Sequence, residues 1–467
     1  MTESITNKKI CLVSLGCPKN LVDAEMMLGF LAKDGFGFST NPAESDVIVV
    51  NTCGFVEDSK KESIDQILKM AEYKESGNCK VLVATGCLSQ RYSKTLEHDL
   101  PEVDAFVGLG EFDKLSGILR EQFSEKHKKV YVNENFERDP LKKNLSEFTT
   151  HRQILPDPDL PRILATPKHF TYVKISEGCS HRCSFCIIPH IRGDLKSRPI
   201  DSVVREVSAL VTQGTKEFNL IAQDLNEYGK DLRNGSNLTQ LLEELEKIPG
   251  DFWIRPLYMY PLEFTDRLID VMKNSEHLVK YVDMPLQHIN DRVMRSMKRG
   301  SPSRYVRQVL DKLKTAMPDI AIRTTFIVGY PGETNEEFEE LYQFVKDYKF
   351  QHVGVFKYSQ EEGTLAADLP EQIPDEIKEE RFDRLMRLQQ KISLENNQNL
   401  MGKTMRFLCE RVSERPGYMQ GRLAIQAPEI DGLTYLKVTQ QIPSSGDFLN
   451  VKICKAEEYD LQAEIVS

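Results

Sequence analysis

Between residue 8 and about residue 124, short apolar runs alternate with stretches of helical periodicity. Ile10–Leu15, Val47–Val50, Val81–Ala84 and Ala105–Leu109 read as strands. Asn20–Lys33, the stretch through Ile64 and Leu68, the stretch after Leu88, and Glu111–Phe123 read as helices. Strand–helix alternation at this spacing predicts an open parallel sheet with helices on its faces.

The pattern breaks between Arg138 and Lys168, where Pro140, Pro156, Pro158, Pro161 and Pro167 punctuate a stretch without periodicity. Residues 125–168 therefore read as an interdomain linker. Alternation resumes over 169–399, with strands expected at Thr171–Ile175, Glu217–Ile221, Trp253–Leu257, Tyr281–Met284, Ala321–Val328 and Val353–Tyr358. Six such repeats suggest a partial (β/α)6 barrel. Asp375–Asn399 reads as a long helix with Leu385, Leu388 and Ile392 on one face. From 402 to 467 short alternating strands broken by Pro and Gly, such as Met405–Val412 and Thr434–Thr439, suggest a small antiparallel β-barrel.

With 467 residues, 40% hydrophobic and 28% charged, the chain has the balance of a globular α/β protein able to bury several cores. Its 61 Lys+Arg against 71 Asp+Glu give a net charge of −10, which disfavours non-specific grip on nucleic acid or anionic membrane. No apolar run approaches a membrane span, and the opening residues lack an apolar signal core, so a soluble, cytoplasmic protein is expected.

Ten cysteines are few for a disulfide framework and many for idle packing. Cys179, Cys183 and Cys186 form a C-x3-C-x2-C loop just after an expected strand, at the carboxyl end of the barrel, where barrel enzymes place their sites. Three thiolates there can hold three irons of a 4Fe–4S cubane and leave the fourth open to substrate. A structural zinc loop completed by His181 or His190 is the competing reading, and it lacks the second knuckle such sites usually have. Cys17, Cys53 and Cys87 follow the first three main strands, each at a Gly-Cys or Cys-Gly step. Strand carboxyl ends in an open parallel sheet face one crevice, so these three point to a second site with one open iron. Three unrelated buried cysteines is the plainer alternative. Cys11, Cys79, Cys409 and Cys454 follow no pattern. The turn Val328–Thr334 could line a nucleotide-like cofactor, but it lacks a phosphate-loop spacing and reads at least as well as an ordinary tight turn. Gln287–His288 could face the barrel mouth, where a lone histidine is more often a wall residue than a catalytic base.

The C-x3-C-x2-C loop with Phe185 before its last cysteine resembles the radical S-adenosylmethionine enzymes. The three amino-terminal cysteines and the small terminal barrel narrow the resemblance to the methylthiotransferases. Ser14–Asp23, Asn51–Val56, Ile175–Cys179, Ile187–Gly193 and Tyr459–Leu461 look like the branch acting on an aspartate of small-subunit ribosomal protein S-twelve. Ala24 departs from that branch, which more often has Ser. The other branch modifies adenosine in the anticodon loop of transfer RNA.

The resemblance implies an auxiliary 4Fe–4S cluster on Cys17, Cys53 and Cys87, and a radical cluster on Cys179, Cys183 and Cys186 that binds S-adenosylmethionine, with Phe185 near that cofactor. It implies that a 5′-deoxyadenosyl radical abstracts hydrogen from the aspartate β-carbon, and that sulfur and a methyl group from a second S-adenosylmethionine then join it. A reducing electron donor and a sulfur donor are the implied partners. The last domain would be a TRAM barrel. Its residues 403–467 carry 8 Lys+Arg and 9 Asp+Glu, a charge of −1, whereas phosphate binding needs a basic surface. Ribosomal protein S-twelve is thus the expected substrate and RNA contact is not favoured. A zinc-dependent RNA-binding protein is the reading from another class. The crevice of the first domain must face the barrel mouth, which is work for the linker.

Overall fold

The computed structural model of the chain describes residues 8–124, 129–132, 152–438 and 442–466. Pro140, much of the expected linker and Thr439 lie outside them. Among the described residues, no helix is long and apolar enough to cross a membrane.

The first domain is a six-stranded parallel sheet of β1 (Lys9–Ser14), β2 (Gly37–Phe38), β3 (Val47–Thr52), β4 (Val81–Gly86), β5 (Ala105–Val107) and β6 (Lys129–Tyr131), ordered β2-β1-β3-β4-β5-β6. Side chains alternate across a strand, so each apolar run feeds two cores. Val47, Val49, Val81 and Val83 pack with Met27 and Leu31 of helix Pro18–Lys33 and with Leu119 of helix Leu115–Ser124. Ile48, Val50, Leu82 and Ala84 pack on the other face, with Ile67 of helix Glu57–Ala71 and Leu88 of helix Cys87–Asp99. The edge strands β2 and β6, absent from the sequence reading, are too short to show a period.

The second domain holds β7 (Phe170–Lys174), β8 (Ser176–Glu177), β9 (Lys196–Ser197), β10 (Glu217–Ile221), β11 (Trp253–Pro256), β12 (Tyr281–Gln287), β13 (Ala321–Val328) and β14 (His352–Lys357). Six of these run parallel as two three-stranded sheets, β11-β10-β7 and β12-β13-β14, joined by a bridge between Ile254 and Leu278. They form the expected partial barrel. The strand expected at Tyr281–Met284 continues to Gln287 with a register shift after Met284, where Pro285 has no N–H to donate. The outward positions Val173, Leu220, Ile254, Val282 and Ile322 form one apolar core with the surrounding helices. The inward positions Lys174, Glu217, Asn219, Arg255 and Asp283 are buried and polar. The short antiparallel pair β8–β9 brackets the cysteine loop.

The third domain is a closed barrel of β15 (Thr404–Val412), β16 (Tyr418–Leu423), β17 (Thr434–Lys437), β18 (Phe448–Ala456) and β19 (Leu461–Ile465), in the order β15-β16-β17-β19-β18. Four of its pairings are antiparallel, but β17 and β19 pair parallel, unlike the wholly antiparallel barrel expected. It docks on the amino ends of the central strands. Arg422 pairs with Glu217 at the start of β10 and, at 2.6 Å, with Glu410, while Tyr281 donates to Asp431 at 2.7 Å.

Arg422 and Glu217 are both fully buried, so neither charge can turn to water if the other is removed. Arg422→Met is expected to cost about 3–5 kcal/mol, the usual result of breaking a buried pair, read as a lowered urea midpoint of unfolding.

Candidate metal centres

The first thiol triad lies on the loop between β8 and β9, which several backbone bonds hold in place. Cys179 N–H donates to the Gly193 carbonyl at 3.0 Å, Ser184 N–H to Met297 at 3.0 Å, and Ala366 N–H to the Ser184 carbonyl at 2.8 Å. Gly178 has φ +76°, and a Cβ there would stand 2.1 Å from the Asp194 carbonyl oxygen, so the loop turns tightly only because this residue is glycine. The Ser184 hydroxyl lies 2.8 Å from the Tyr330 hydroxyl. Burial pushes the Cys179 thiol up to about 12, and burial with the neighbouring sulfurs pushes Cys186 up as well. Arg299 approaches Cys183 Sγ at 3.8 Å and stacks on Tyr260, whose other neighbour in the stack is His181.

His181 does not turn toward the thiols. Its Nε2 lies 2.7 Å from Asp224, and its ring stacks on Tyr260 with centroids 4.3 Å apart. The zinc reading that used His181 as fourth ligand loses its donor to Asp224. His181, Asp224 and Glu227 do come together closely enough to hold a cation, but the hydrogen bond and the stacking already account for them.

The second triad gathers at three strand ends. Cys17 caps helix Pro18–Lys33 after β1, Cys53 follows β3, and Cys87 opens the helix after β4. Glycines allow the approach: a Cβ on Gly16 would stand 2.8 Å from Cys53 Cβ, and one on Gly54 would stand 3.0 Å from the Cys87 carbonyl carbon. Asn20 ties the strand ends together, donating to the carbonyls of Leu15 at 2.7 Å and Thr52 at 3.3 Å. Burial pushes the Cys87 thiol up to about 12, with Arg192 opposing and the charges of Cys53 and Cys17 adding to it.

Between the triads lies a buried ionic seam. Arg192, from the cysteine-loop segment, donates to Cys87 Sγ at 3.4 Å, to Asp23 at 3.0 Å and to Glu177 at 3.0 Å. Lys174 pairs with Asp23 and, at 2.7 Å, with Glu177. Burial alone would raise Glu177, but Arg192 and Lys174 overcome it and hold the carboxyl at about 2. Lys19 is buried at the same mouth, and burial lowers its ammonium to about 8. The described part of the linker fastens the arrangement. Arg152 pairs with Asp113, Arg162 bonds Glu25 at 2.6 Å, and the Pro161 carbonyl rests on Gly29.

Each triad therefore offers three sulfurs, and burial raises the thiols of Cys53, Cys87, Cys179 and Cys186, which would lose their protons on binding a soft metal. The arginine near one sulfur of each triad suits an anionic iron–sulfur centre, whose ligands are commonly hydrogen-bonded. The donor sets fit the clusters expected from sequence. Phe185 packs half-buried against Met297, Tyr330 and Tyr358. The turn Val328–Thr334 is fixed by Glu333, which accepts from the Gly329 N–H at 3.0 Å. His288 is fully buried, pushed down to about 3 by burial, and accepts from Asn290 N–H at 3.0 Å, as a wall residue does. Cys11, Cys79 and Cys409 sit buried in apolar cores and Cys454 is exposed.

Comparison with known proteins agrees with this layout. Residues 9–108 match an uncharacterized protein family, UPF0004, residues 173–345 the radical SAM superfamily, and residues 401–466 the TRAM domain. A ribosomal protein uS12 methylthiotransferase RimO from Anaeromyxobacter sp. (strain Fw109-5) is 45% identical, over 98% of this chain and 93% of that one. The RimO of Geotalea uraniireducens (strain Rf4) is 43% identical over the whole of both chains. The chain belongs to the radical SAM methylthiotransferase family. Among solved structures, the radical S-adenosylmethionine methyltransferase TsrM from Kitasatospora setae shares the fold, with a TM-score of 0.51 at 14% identity, over 75% of this chain and 73% of that one.

Lys19, Arg192, Asp23, Lys174, Glu177 and Arg299 were not singled out from sequence as site residues. Lys19 and Arg192 lie inside motifs that carry the resemblance, but Tyr258, which Lys19 meets, and Asp23 and Cys87, which Arg192 meets, lie more than a hundred residues away. Glu177→Gln is expected to destabilise the protein by about 3–5 kcal/mol at pH 7, because it leaves two buried cations with one carboxylate. A carboxyl held at about 2 stabilises the fold at pH values above its ordinary 4.5 and loses that contribution as pH falls toward about 2. The gap between wild-type and variant urea midpoints should therefore narrow below pH 4.5.

Proposed function

We propose that this chain methylthiolates the β-carbon of an aspartate in ribosomal protein uS12, in the cytoplasm, drawing on a reducing electron donor and a sulfur donor. The single observation that carries the reading is the bond from Arg192, on the segment after the cysteine loop, to Cys87 Sγ of the first domain, in a chain that matches uS12 methylthiotransferases along its length. The functional units run over 8–124, 169–399 and 402–467, with 125–168 as linker.

Replacing an unactivated C–H bond is beyond any side-chain base at neutral pH. Two 4Fe–4S clusters and S-adenosylmethionine, when bound, supply the radical, sulfur and methyl chemistry. Cys179, Cys183 and Cys186 hold the radical cluster, and Cys17, Cys53 and Cys87 the auxiliary one; three ligands each leave one iron open. Arg299 and Arg192 place positive charge beside a ligand sulfur of each, which favours the reduced, more negative state. Phe185 faces the S-adenosylmethionine site. The buried seam of Asp23, Lys174, Glu177 and Arg192 fixes the first domain against the second beside Cys87. The near-neutral third domain, with Arg422 committed to Glu217 and Glu410, suits a protein substrate better than a phosphate backbone.

Changing Cys179, Cys183 and Cys186 together to Ala should leave about half the iron in a folded protein, since the triads sit in separate domains; complete loss, or none, would contradict two sites. Reconstituted enzyme should add about 46 Da, a methylthio group in place of hydrogen, to one aspartate of uS12 by mass spectrometry. A gain on transfer RNA adenosine alone would favour the other branch.

A further inference from the structure

Lys19 is the second residue of helix Pro18–Lys33, directly after Pro18 and beside Cys17. It is 7% exposed, and its ammonium lies 3.0 Å from the centroid of the Tyr258 ring. Among the described residues the ammonium forms no ion pair and no hydrogen bond; the Tyr258 ring is its one close partner. Nearby carboxylates are already engaged. Asp23 and Glu177 are taken by Lys174 and Arg192, and Asp283 accepts from Tyr258 N–H at 3.1 Å and faces Arg323 at 3.6 Å. The first turn of a helix is also an unfavourable place for a cation, because its free N–H groups carry partial positive charge. An ammonium on that turn with no carboxylate of its own is suited to an anion from outside the chain.

Its position says which anion. Tyr258 follows β11 at the mouth of the central barrel, and its backbone is held at φ +64°, a strained conformation for a residue with a side chain. Lys19 thus stands beside the second triad's Cys17, over the mouth into which the first triad's loop opens. We propose that Lys19 receives the side-chain carboxylate of the substrate aspartate, holding the adjacent β-carbon between the two triads and selecting an acidic side chain over a neutral nucleobase. This rests on the uS12 reading given above.

The test uses the holoenzyme with both clusters and two probes: purified uS12, and uS12 with its target aspartate changed to asparagine. Wild type should bind the aspartate form about ten- to a hundredfold more tightly, the usual effect of a charge-assisted hydrogen bond. Lys19→Met should bind both forms alike with its iron content unchanged, and Lys19→Arg should retain most of the preference. No preference in wild type overturns the proposal, as does a preference that survives in Lys19→Met. A Lys19→Met enzyme that loses iron, or weakens equally toward both forms, also overturns it and makes the ammonium a counter-ion of the cluster. In each of these cases wild type still adds the methylthio group to uS12; if it adds none, the uS12 reading itself falls and takes the proposal with it.

Discussion

Four buried side chains, Asp23, Lys174, Glu177 and Arg192, hold the first two domains in one fixed relation. Apolar contact is non-directional and tolerates sliding, whereas a buried ion network is stable only when every member is paired. A small slip of one domain on the other would strand charges out of water. The seam therefore sets position more than it adds strength, and position is what the proposed reaction, with two triads serving one carbon, would need. Arg192 carries the constraint furthest, because the guanidinium that pairs across the seam also touches Cys87.

The three domains divide the ends of the central strands between them. The cysteine loop and the first domain occupy the carboxyl ends, while the terminal barrel closes the amino ends through Glu217, Arg255 and Tyr281. A six-stranded barrel with a polar interior would be unstable open to water at one end and unpaired within. Arg422 and the Ala424 carbonyl complete the pairing of Glu217 and Arg255. The third domain thus finishes the core of the second, quite apart from any contact with substrate.

Much of this was legible in the sequence because it is local. The apolar runs marked the strands of the first sheet and of the barrel, since a strand buried on one or both faces must be apolar at fixed positions. The two cysteine triads stood out in the sequence because one chemical type recurs at a set spacing or at successive strand ends. What escaped depends on distant partners or on very short elements. Lys19 and Lys174 look like surface lysines until burial is known, and the polar barrel interior is recognisable only once each charge has met its opposite. The parallel pairing of β17 with β19 leaves no trace in alternation, because period two is the same in either direction. His181 sits between Cys179 and Cys183 and invites a role as ligand, but Asp224, forty-three residues away, claims it.

Gly29 sits within helix Pro18–Lys33, where a methyl group would meet the Pro161 carbonyl oxygen at 2.3 Å. The chain entering the second domain lies flat on this helix because one carbon is missing. Arg152 on Asp113 and Arg162 on Glu25 pin the same segment on either side of Pro161. The spacing of the triads is thus measured out after residue 152, like a tape fixed at its near end. The number of residues spent before that point does not enter the measure, so relatives can lengthen or shorten that stretch without moving one triad relative to the other.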